Sequence, residues 1–217
     1  MPSVDTIASE AAGTEERPVG AEERVVDAAL RCLARWGMAK TTLDDVAREA
    51  GIGRATLYRL FPGGREALMQ EVVGVETARF LRRLDARVAG VDSVEDLIVG
   101  AVVEAATTLA THEAFQFLLA HEPEAIVPHL AFGQMDAVLR QVSAHAGPYL
   151  DPWLPDGETA ARVAEWLARI VLSYVCTVPA PAAGDICDEA WVRHLVGVYV
   201  VPGLSTNDHH PRETDHG

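Results

Sequence analysis

Side chains suited to contact nucleic acid recur on one side of a short helical segment. Arg54, Tyr58 and Arg59 lie on the side opposite to the apolar residues Leu57 and Leu60. An arginine can donate two hydrogen bonds to the edge of a guanine, and a hydroxyl can donate to a phosphate oxygen. The pattern therefore predicts a helix that lies in the major groove of duplex DNA. It also fits an ordinary helical hairpin whose outward side chains are only solvated.

A second short helix is predicted just before this segment. Leu43, Val46, Ala47 and Ala50 recur at the spacing of one apolar helix face. Gly51 follows directly, where a helix often ends in a left-handed residue and glycine carries no steric penalty. Two short helices joined by a glycine turn, with basic and aromatic side chains outward on the second, are typical of a helix-turn-helix.

The sequence from Thr41 to Leu68, TTLDDVAREAGIGRATLYRLFPGGREAL, closely resembles the DNA-binding domain of the tetracycline-repressor (TetR/AcrR) family. The resemblance covers roughly residues 21–68 and is most specific in AGIGRATLYRLF. It implies an all-α fold, with an N-terminal three-helix helix-turn-helix head and a larger C-terminal helical bundle for ligand binding and dimerisation. It also implies a ligand-responsive transcriptional regulator and favours a repressor over an activator.

The resemblance and the side-chain chemistry together predict the DNA-contacting residues. Arg54 and Thr56 are expected at base edges, and Arg59 at either bases or phosphates. The hydroxyls of Tyr58 and Thr42, and the charge at the start of the fourth helix, are expected to hold phosphates. The predicted set is Thr42, Arg54, Ala55, Thr56, Tyr58, Arg59 and Arg65.

Two features depart from the family pattern. The linker from Phe61 to Arg65 is one residue longer than the commonest spacing, and it carries arginine where lysine is usual. The phosphate that Arg65 would contact is therefore left open. Gly53 stands where the recognition helix usually begins with a polar cap.

The net charge of −14 is unevenly distributed along the chain. Residues 21–68 carry eight basic and seven acidic side chains, a balance of +1, so the other residues together carry −15. An acidic body repels phosphate and would orient the molecule with its head towards DNA. This distribution argues against non-specific coating of nucleic acid.

Helical periodicity and proline or glycine breaks divide the rest of the chain. A helix over 64–88 should tie the head to the body, and the stretch from Pro148 to Gly157 should be a loop around Trp153. Pro202 and Gly203 should end the last helix. Other helices are predicted over about 21–36, 94–111, 113–121, 130–146, 159–178 and 188–201. The predicted domains are a disordered arm (1–20), a DNA-binding head (21–64), a ligand-binding and dimerisation body (65–204) and a disordered tail (205–217).

The body should hold the input site, because members of the resembled family bind a small, mostly apolar molecule there. Aromatic, histidine and methionine side chains are the candidates, although at helical spacing they also fit an ordinary core. These candidates are Phe115, Phe117, His121, Phe132, Met135, Trp166 and Tyr174, with His112 and His129 nearby in sequence. The run from His121 to Glu124 lacks the HExxH spacing of a zinc site, so no metal and no cofactor are predicted.

The helices predicted over 159–178 and 188–201 are apolar on nearly every face, which is more than the remaining chain can cover. Pairing with the same helices of a second copy would form a four-helix interface and a homodimer. Two recognition helices about one DNA turn apart predict a near-palindromic operator on double-stranded DNA. The alternative is that one chain buries both helices by itself.

Other functional classes leave no mark in the sequence. No segment has the roughly 18 consecutive apolar residues of a membrane helix, and residues 1–19 lack the apolar core of a signal peptide. A cytoplasmic protein without a membrane partner is therefore predicted. No nucleophile elbow, phosphate loop, paired-cysteine motif or cofactor fingerprint is present, so an enzyme is not expected. A helical ligand carrier and a protein–protein adaptor remain as alternatives.

Overall fold

The computed structural model describes residues 20–124, 134–154, 157–177 and 184–205. Within these ranges every regular element is helical, which confirms the all-α fold. The arm predicted for 1–20 and the tail predicted for 205–217 lie outside the described residues, apart from Gly20 and Ser205. The elements in chain order are α1 (Ala21–Lys40), α2 (Leu43–Glu49), α3 (Arg54–Leu60), α4 (Gly64–Val88), α5 (Val94–Thr111), α6 (Glu113–His121), α7 (Gln134–Leu150), a 3₁₀ turn (Asp151–Trp153), α8 (Gly157–Cys176), α9 (Glu189–Leu195), a π-helical turn (Val196–Val200) and α10 (Val201–Ser205).

The first three helices pack around one apolar core. Val26, Val46 and Leu57, one from each helix, are at most 1% exposed. Side chains of this size contribute about 2 kcal/mol each when they are fully buried. The predicted end of the first helix at Gly37 is a kink, since this residue has a φ of 78° and the helix resumes for one turn beyond it. That turn leads into the cap of α2.

The long helix α4 contributes to two cores, as expected of a helix that was predicted to connect the head to the body. Leu68 lies in the core of the head, whereas Leu84 lies in the core of the body. The body core is centred on Ile98 of α5, with α8 and α9 packed around it. α9 is also held to α5 by an ion pair between Arg193 and Asp96, whose nitrogen and oxygen lie 2.6 Å apart.

The predicted loop at Pro148 is wrong. Helix α7 continues through this proline to Leu150, and a short 3₁₀ turn follows directly. Proline removes one backbone donor, which is a limited loss so close to a helix end. The buried side chain of Leu150 packs against the body core and holds the last turn in place.

The predicted stop at Pro202 is also wrong, because the helix runs on to Ser205. The helix widens into a π-helical turn just before the proline, and the N–H of Val201 donates to the carbonyl of Val196. The α-helical ladder is therefore already interrupted where Pro202 lacks its donor. None of the described helices combines the length and the apolar character needed to cross a bilayer.

Candidate nucleic-acid interface

The recognition helix α3 is anchored by one face and open on the other. Leu57 and Leu60 point into the head core and are 1% and 8% exposed. Arg54 and Tyr58 lie on the outer face, with the arginine side chain 70% exposed and the tyrosine 52% exposed. Gly53 is the N-cap residue of the helix, and it provides no side-chain cap. Its outer face is therefore available to a partner as large as a DNA groove.

A capping box fixes the start of α2. The hydroxyl of Thr42 donates to a carboxylate oxygen of Asp45 at 2.5 Å and accepts the backbone N–H of the same residue at 3.2 Å. The hydrogen bond from Thr42 also holds the pKa of the Asp45 carboxyl below its usual value. In the DNA-free protein, the hydroxyl predicted to contact phosphate is therefore engaged in this cap.

Acidic side chains on α2 face the arginines of the head. Arg54 forms an ion pair with Asp44, with a guanidinium nitrogen and a carboxylate oxygen 2.5 Å apart. A similar pair joins Arg31 of α1 to Glu49 at 2.6 Å. Sequence reasoning missed these partners, because each pair joins different helices and depends on how they pack. Both arginines are more than half exposed, so each pair contributes little to stability.

The connection between α1 and α2 is held from two sides. Arg65, at the start of α4, donates a hydrogen bond to the carbonyl of Met38. From the other side, the carboxylate of Glu122 accepts the backbone N–H groups of Met38 and Ala39 at 2.7 and 3.1 Å. Sequence reasoning assigned Glu122 no role. Its partner amides lie more than 80 residues away, and no local pattern signals such a contact.

A cavity of about 1060 Å³ lies between α4, α5, α6, α7 and α8, and it reaches α1 at Leu30, Leu33 and Met38. Lining residues recur every three or four positions along α4 from Arg65 to Val88. At a rise of 1.5 Å per residue, this stretch of helix is about 35 Å long. The cavity is therefore elongated. Its lining is mostly apolar, with polar or charged side chains at Arg65, Glu66, Gln70, Glu76, Thr77, Arg83, Thr108, His112, Gln141 and Tyr149.

Among the described residues, only some of those predicted to bind a ligand line this cavity. Phe115 lines it. Phe117 instead stacks on His121 with ring centroids 4.4 Å apart, and Tyr174 packs edge-on against Trp191. Other candidates lie elsewhere: Trp166 is 48% exposed on α8, Phe132 and His129 lie outside the described residues, and so does the side chain of Met135.

A polar network at the cavity wall joins head and body. His112 accepts the N–H of Phe115 through Nδ1, so its Nε2 carries the proton and donates to Glu76, 3.1 Å away. The carboxylate of Glu76 also pairs with Arg79 at 2.8 Å. Arg79 in turn reaches Asp27 on α1 at 2.7 Å. The polar groups inside the cavity are therefore linked to the first helix of the head.

A helix-turn-helix head with an open recognition helix, mounted on a helical body that borders a large cavity, defines a class of one-component transcriptional regulators. Residues 25–72 match the family model described as bacterial regulatory proteins of the tetR family. An uncharacterized HTH-type transcriptional regulator of Mycobacterium tuberculosis is 30% identical over 198 residues, which cover 90% of this chain and 91% of that protein. The chain belongs to the TetR family and is a DNA-binding transcriptional regulator. Members of this family act as dimers.

Solved structures of the family have the same fold. The TetR family repressor AlkX from a Dietzia species superposes with a TM-score of 0.62 at 20% identity, covering 89% of this chain and 98% of that chain. The fatty acid degradation regulator FadR from Bacillus halodurans superposes with a TM-score of 0.59 at 16% identity, covering 90% and 100%. The Mycobacterium tuberculosis relative, AlkX and FadR are all described as regulators or repressors.

Proposed function

We propose that this regulator is a repressor that occupies a near-palindromic operator as a dimer and leaves it when a mostly apolar effector enters the body. The observation that carries the proposal is the geometry of α3. Its inner face is buried through Leu57 and Leu60, while Arg54 and Tyr58 project from the outer face. A helix held in this way presents side chains to base edges without any change of fold. Residues 21–64 then form the reading unit and residues 65–204 the sensing and pairing unit.

The DNA contacts divide by chemistry. Arg54 and Thr56, in the first turn of α3, are assigned to base edges, because the N-terminal residues of a recognition helix lie deepest in the groove. Tyr58, Thr42 and Arg65 are assigned to phosphates, which set the register of the protein on DNA. Ala55 packs against the groove wall between them, and Arg59 contacts bases or phosphates. For Thr42 this contact requires its hydroxyl proton to turn from Asp45 to a phosphate oxygen.

Pairing of two chains occurs through α8 and through the helical segment of about 188–201, which includes α9 and the π-helical turn. Trp166 on α8 is 48% exposed, and Val198 and Tyr199 beyond α9 are 48% and 73% exposed. Large apolar side chains with this exposure are suited to contact with a second copy of the chain. A two-fold axis through this surface would place two recognition helices about 34 Å apart, which is one turn of B-DNA. The operator should therefore be a near-palindrome with half-sites one turn apart.

The effector proposed for the cavity is an elongated molecule with an apolar chain and one polar end. A mostly apolar cavity of about 1060 Å³ that follows α4 for much of its length suits such a shape. The Glu76 carboxylate can accept a hydrogen bond from a hydroxyl end, and Arg83, which also lines the cavity, can pair with an acid end. The names of two structural neighbours support the same class, since AlkX is implicated in biodegradation of n-alkanes and FadR is a fatty acid degradation regulator.

Release from DNA follows from differential binding. An effector that binds more tightly to the conformation with the wrong spacing of the two heads shifts the population away from DNA. Helix α4 is suited to transmit this change, because it lines the cavity and also contributes Leu68 to the head core. The coupling free energy equals the difference in effector affinity between the two conformations.

A gel-shift experiment tests the proposal. Overlapping duplexes that tile the DNA flanking its own gene are titrated with the purified protein in the presence of excess random duplex. We expect two chains to bind and shift one of these duplexes, and we expect that duplex to contain an inverted repeat. Addition of sodium dodecanoate or a long-chain alcohol should then release this duplex from the protein. If excess random duplex displaces the protein from every flanking duplex equally well, specific recognition is contradicted.

A further inference from the structure

The short connection between α1 and α2 determines where the reading helices lie. By this connection we mean the last turn of α1, from the kink at Gly37, together with Thr41; the next residue, Thr42, is the cap of α2. Within the connection, the hydroxyl of Thr41 donates to the carbonyl of Gly37 at 2.6 Å. Any shift of this segment moves the start of α2, and α3 follows because the two short helices share one core.

The connection is bound by the body through one carboxylate. Glu122 is the residue that follows α6, and its N–H closes the helix on the carbonyl of Leu118 at 2.8 Å. Its carboxylate accepts the N–H groups of Met38 and Ala39 at 2.7 and 3.1 Å. Hydrogen bonds from N–H groups to an ionised carboxylate are about twice as strong as neutral ones.

Two further observations indicate that this contact is specific. A carboxylate at the C-terminal end of a helix faces the negative end of the helix dipole, so α6 by itself disfavours Glu122 there. Gly37 leaves room for the carboxylate, because a Cβ on this residue would collide with an oxygen of Glu122. Glu122 and Gly37 therefore fit together in space although they are 85 positions apart in sequence. Neither residue type is favoured by the helix in which it lies or which it ends.

The same helix forms part of the cavity wall. Ala114, Phe115 and Leu118 of α6 all line the cavity, one to two turns before Glu122. On the opposite side of the connection, Arg65 donates to the carbonyl of Met38 and also borders the cavity. The connection is thus held between two residues whose helices both enclose the effector site.

We propose that Glu122 is a positioning residue for DNA recognition, which fixes the α1–α2 connection, and with it the recognition helix, to the end of α6. This role rests on the proposed function, because it concerns the placement of the DNA-reading head. Loss of the carboxylate frees the two amides and lets the head adopt a wider range of orientations. DNA then binds only the fraction of molecules with the correct orientation, so affinity falls without any change at the interface.

The test compares Glu122→Gln with Glu124→Gln, which removes the same charge from an exposed side chain two residues further on. The first readout is hydrogen exchange of the backbone amides of residues 38 and 39, which requires neither DNA nor effector. Glu122→Gln should speed their exchange about tenfold, and Glu124→Gln should leave it unchanged. Glutamine keeps a neutral oxygen that can still accept these bonds, so the contact itself is tested by Glu122→Ala, which removes the acceptor, and unchanged exchange in Glu122→Ala would overturn it.

The second readout is the affinity for the duplex that the protein binds in the gel-shift experiment, measured by fluorescence anisotropy. Glu122→Gln should weaken binding about tenfold while the melting temperature stays within a few degrees of the wild type. Faster exchange with unchanged DNA affinity would overturn the positioning role and leave a purely structural contact. A wild-type protein that binds no duplex would overturn the proposed function and this role together, while the exchange result alone would still decide the contact.

A second variant covers the case in which Glu122→Gln does not fold. Gly37→Ala places a methyl group against the carboxylate, at a positive φ that also strains alanine, and should reproduce both effects. If both substitutions act through one contact, the double variant should lose less affinity than the two single losses combined. Fully additive losses would show that the two residues act separately and would contradict the proposal.

Discussion

The guanidinium of Arg54 on α3 lies 2.5 Å from the carboxylate of Asp44 on α2. The arginine assigned to base edges is therefore paired with an acid of the neighbouring helix before DNA arrives. The arginine side chain is 70% exposed and the aspartate 35% exposed, so solvent screens the pair and little free energy opposes its exchange for a DNA contact. The acid nevertheless lies beside the surface that would approach phosphates.

The first prediction concerns that acid. Asp44→Asn removes a negative charge from the DNA-facing side, so it should raise affinity for operator and random duplex alike by about fivefold at low salt. Anisotropy titrations with both duplexes measure the change. Asp151→Asn, an equal charge change on the exposed 3₁₀ turn of the body, should have no effect. Weaker operator binding by Asp44→Asn would mean that the carboxylate orients Arg54 for readout.

The second prediction separates base reading from phosphate binding. Arg54→Ala should cost about 1–3 kcal/mol on the operator and much less on random duplex, because a bidentate base contact is lost. Arg65→Ala should weaken binding to both duplexes equally. The exposed Arg82 at the far end of α4 provides the control, since Arg82→Ala removes the same charge far from the head. Equal losses on the two duplexes for both head variants would contradict the assignment.

The third prediction concerns the dimer. Tyr199 is 73% exposed, so Tyr199→Glu should leave the protomer folded while placing a charge in the proposed interface. Loss of a central aromatic contact costs about 2–4 kcal/mol, which weakens the dimer by about 30-fold or more. Sedimentation velocity at micromolar concentration should then show monomers, and operator affinity should fall. Ala86→Glu, on an exposed position of α4, should stay dimeric. A dimeric Tyr199→Glu protein would place the interface elsewhere.

The fourth prediction concerns the cavity. Sodium dodecanoate at about 100 times its dissociation constant should raise the melting temperature of the wild type by about 5–10 °C. Ala105 lines the cavity, so Ala105→Phe should fill the space and abolish this shift while DNA binding persists. Ala110 lies on the same helix with an exposed side chain, so Ala110→Phe should respond like the wild type. An unchanged shift in Ala105→Phe would place the ligand outside this cavity.

The fifth prediction concerns acid stability. Asp85 accepts hydrogen bonds from Tyr149 at 2.7 Å and from His145 at 2.6 Å. These bonds, the one from Tyr149 foremost, hold the pKa of the Asp85 carboxyl below its usual value. A folded-state pKa below the unfolded value of about 3.9 stabilises the protein above that pH, and the stabilisation is lost as the pH falls through the folded value.

Thermal unfolding between pH 7 and pH 3 measures this effect. The wild type should melt about 2 °C above Asp85→Asn at pH 7, and the difference should shrink steadily as the pH falls below about 4. The effect is small because the Asp85 side chain is 39% exposed. Asp151→Asn should follow the wild-type curve throughout. A difference between wild type and Asp85→Asn that does not depend on pH would contradict the electrostatic origin.

Local patterns predicted the parts of the fold that depend on local chemistry. The apolar periodicity of α2, the φ of 67° at Gly51 and the buried Leu57 all follow from residues within one or two helical turns. The outward face of α3 follows from the same periodicity. The continuation of helices through Pro148 and Pro202 could not be predicted, because it depends on burial of Leu150 and on a π-helical turn.

The rest of the candidate site depends on contacts between distant segments. The Glu122 contact with Met38 and the Asp44–Arg54 pair form only when helices pack, and no spacing rule anticipates them. The cavity gives the same lesson. Phe115 lines it, whereas Phe117, two positions further along the same helix, does not. Residue type selects candidates for a ligand site, but the packing of neighbouring helices decides which of them face it.

The central claim is that paired α3 helices read DNA, and an anisotropy titration of the labelled duplex from the flanking DNA tests it most directly. The titration is repeated at 50 and 200 mM salt with the wild type and Arg54→Ala. We predict saturation at two chains per duplex, a loss of about 10³-fold or more between the two salt concentrations, and weaker binding by the variant. A monomeric protein that binds no duplex at 50 mM salt would contradict the account.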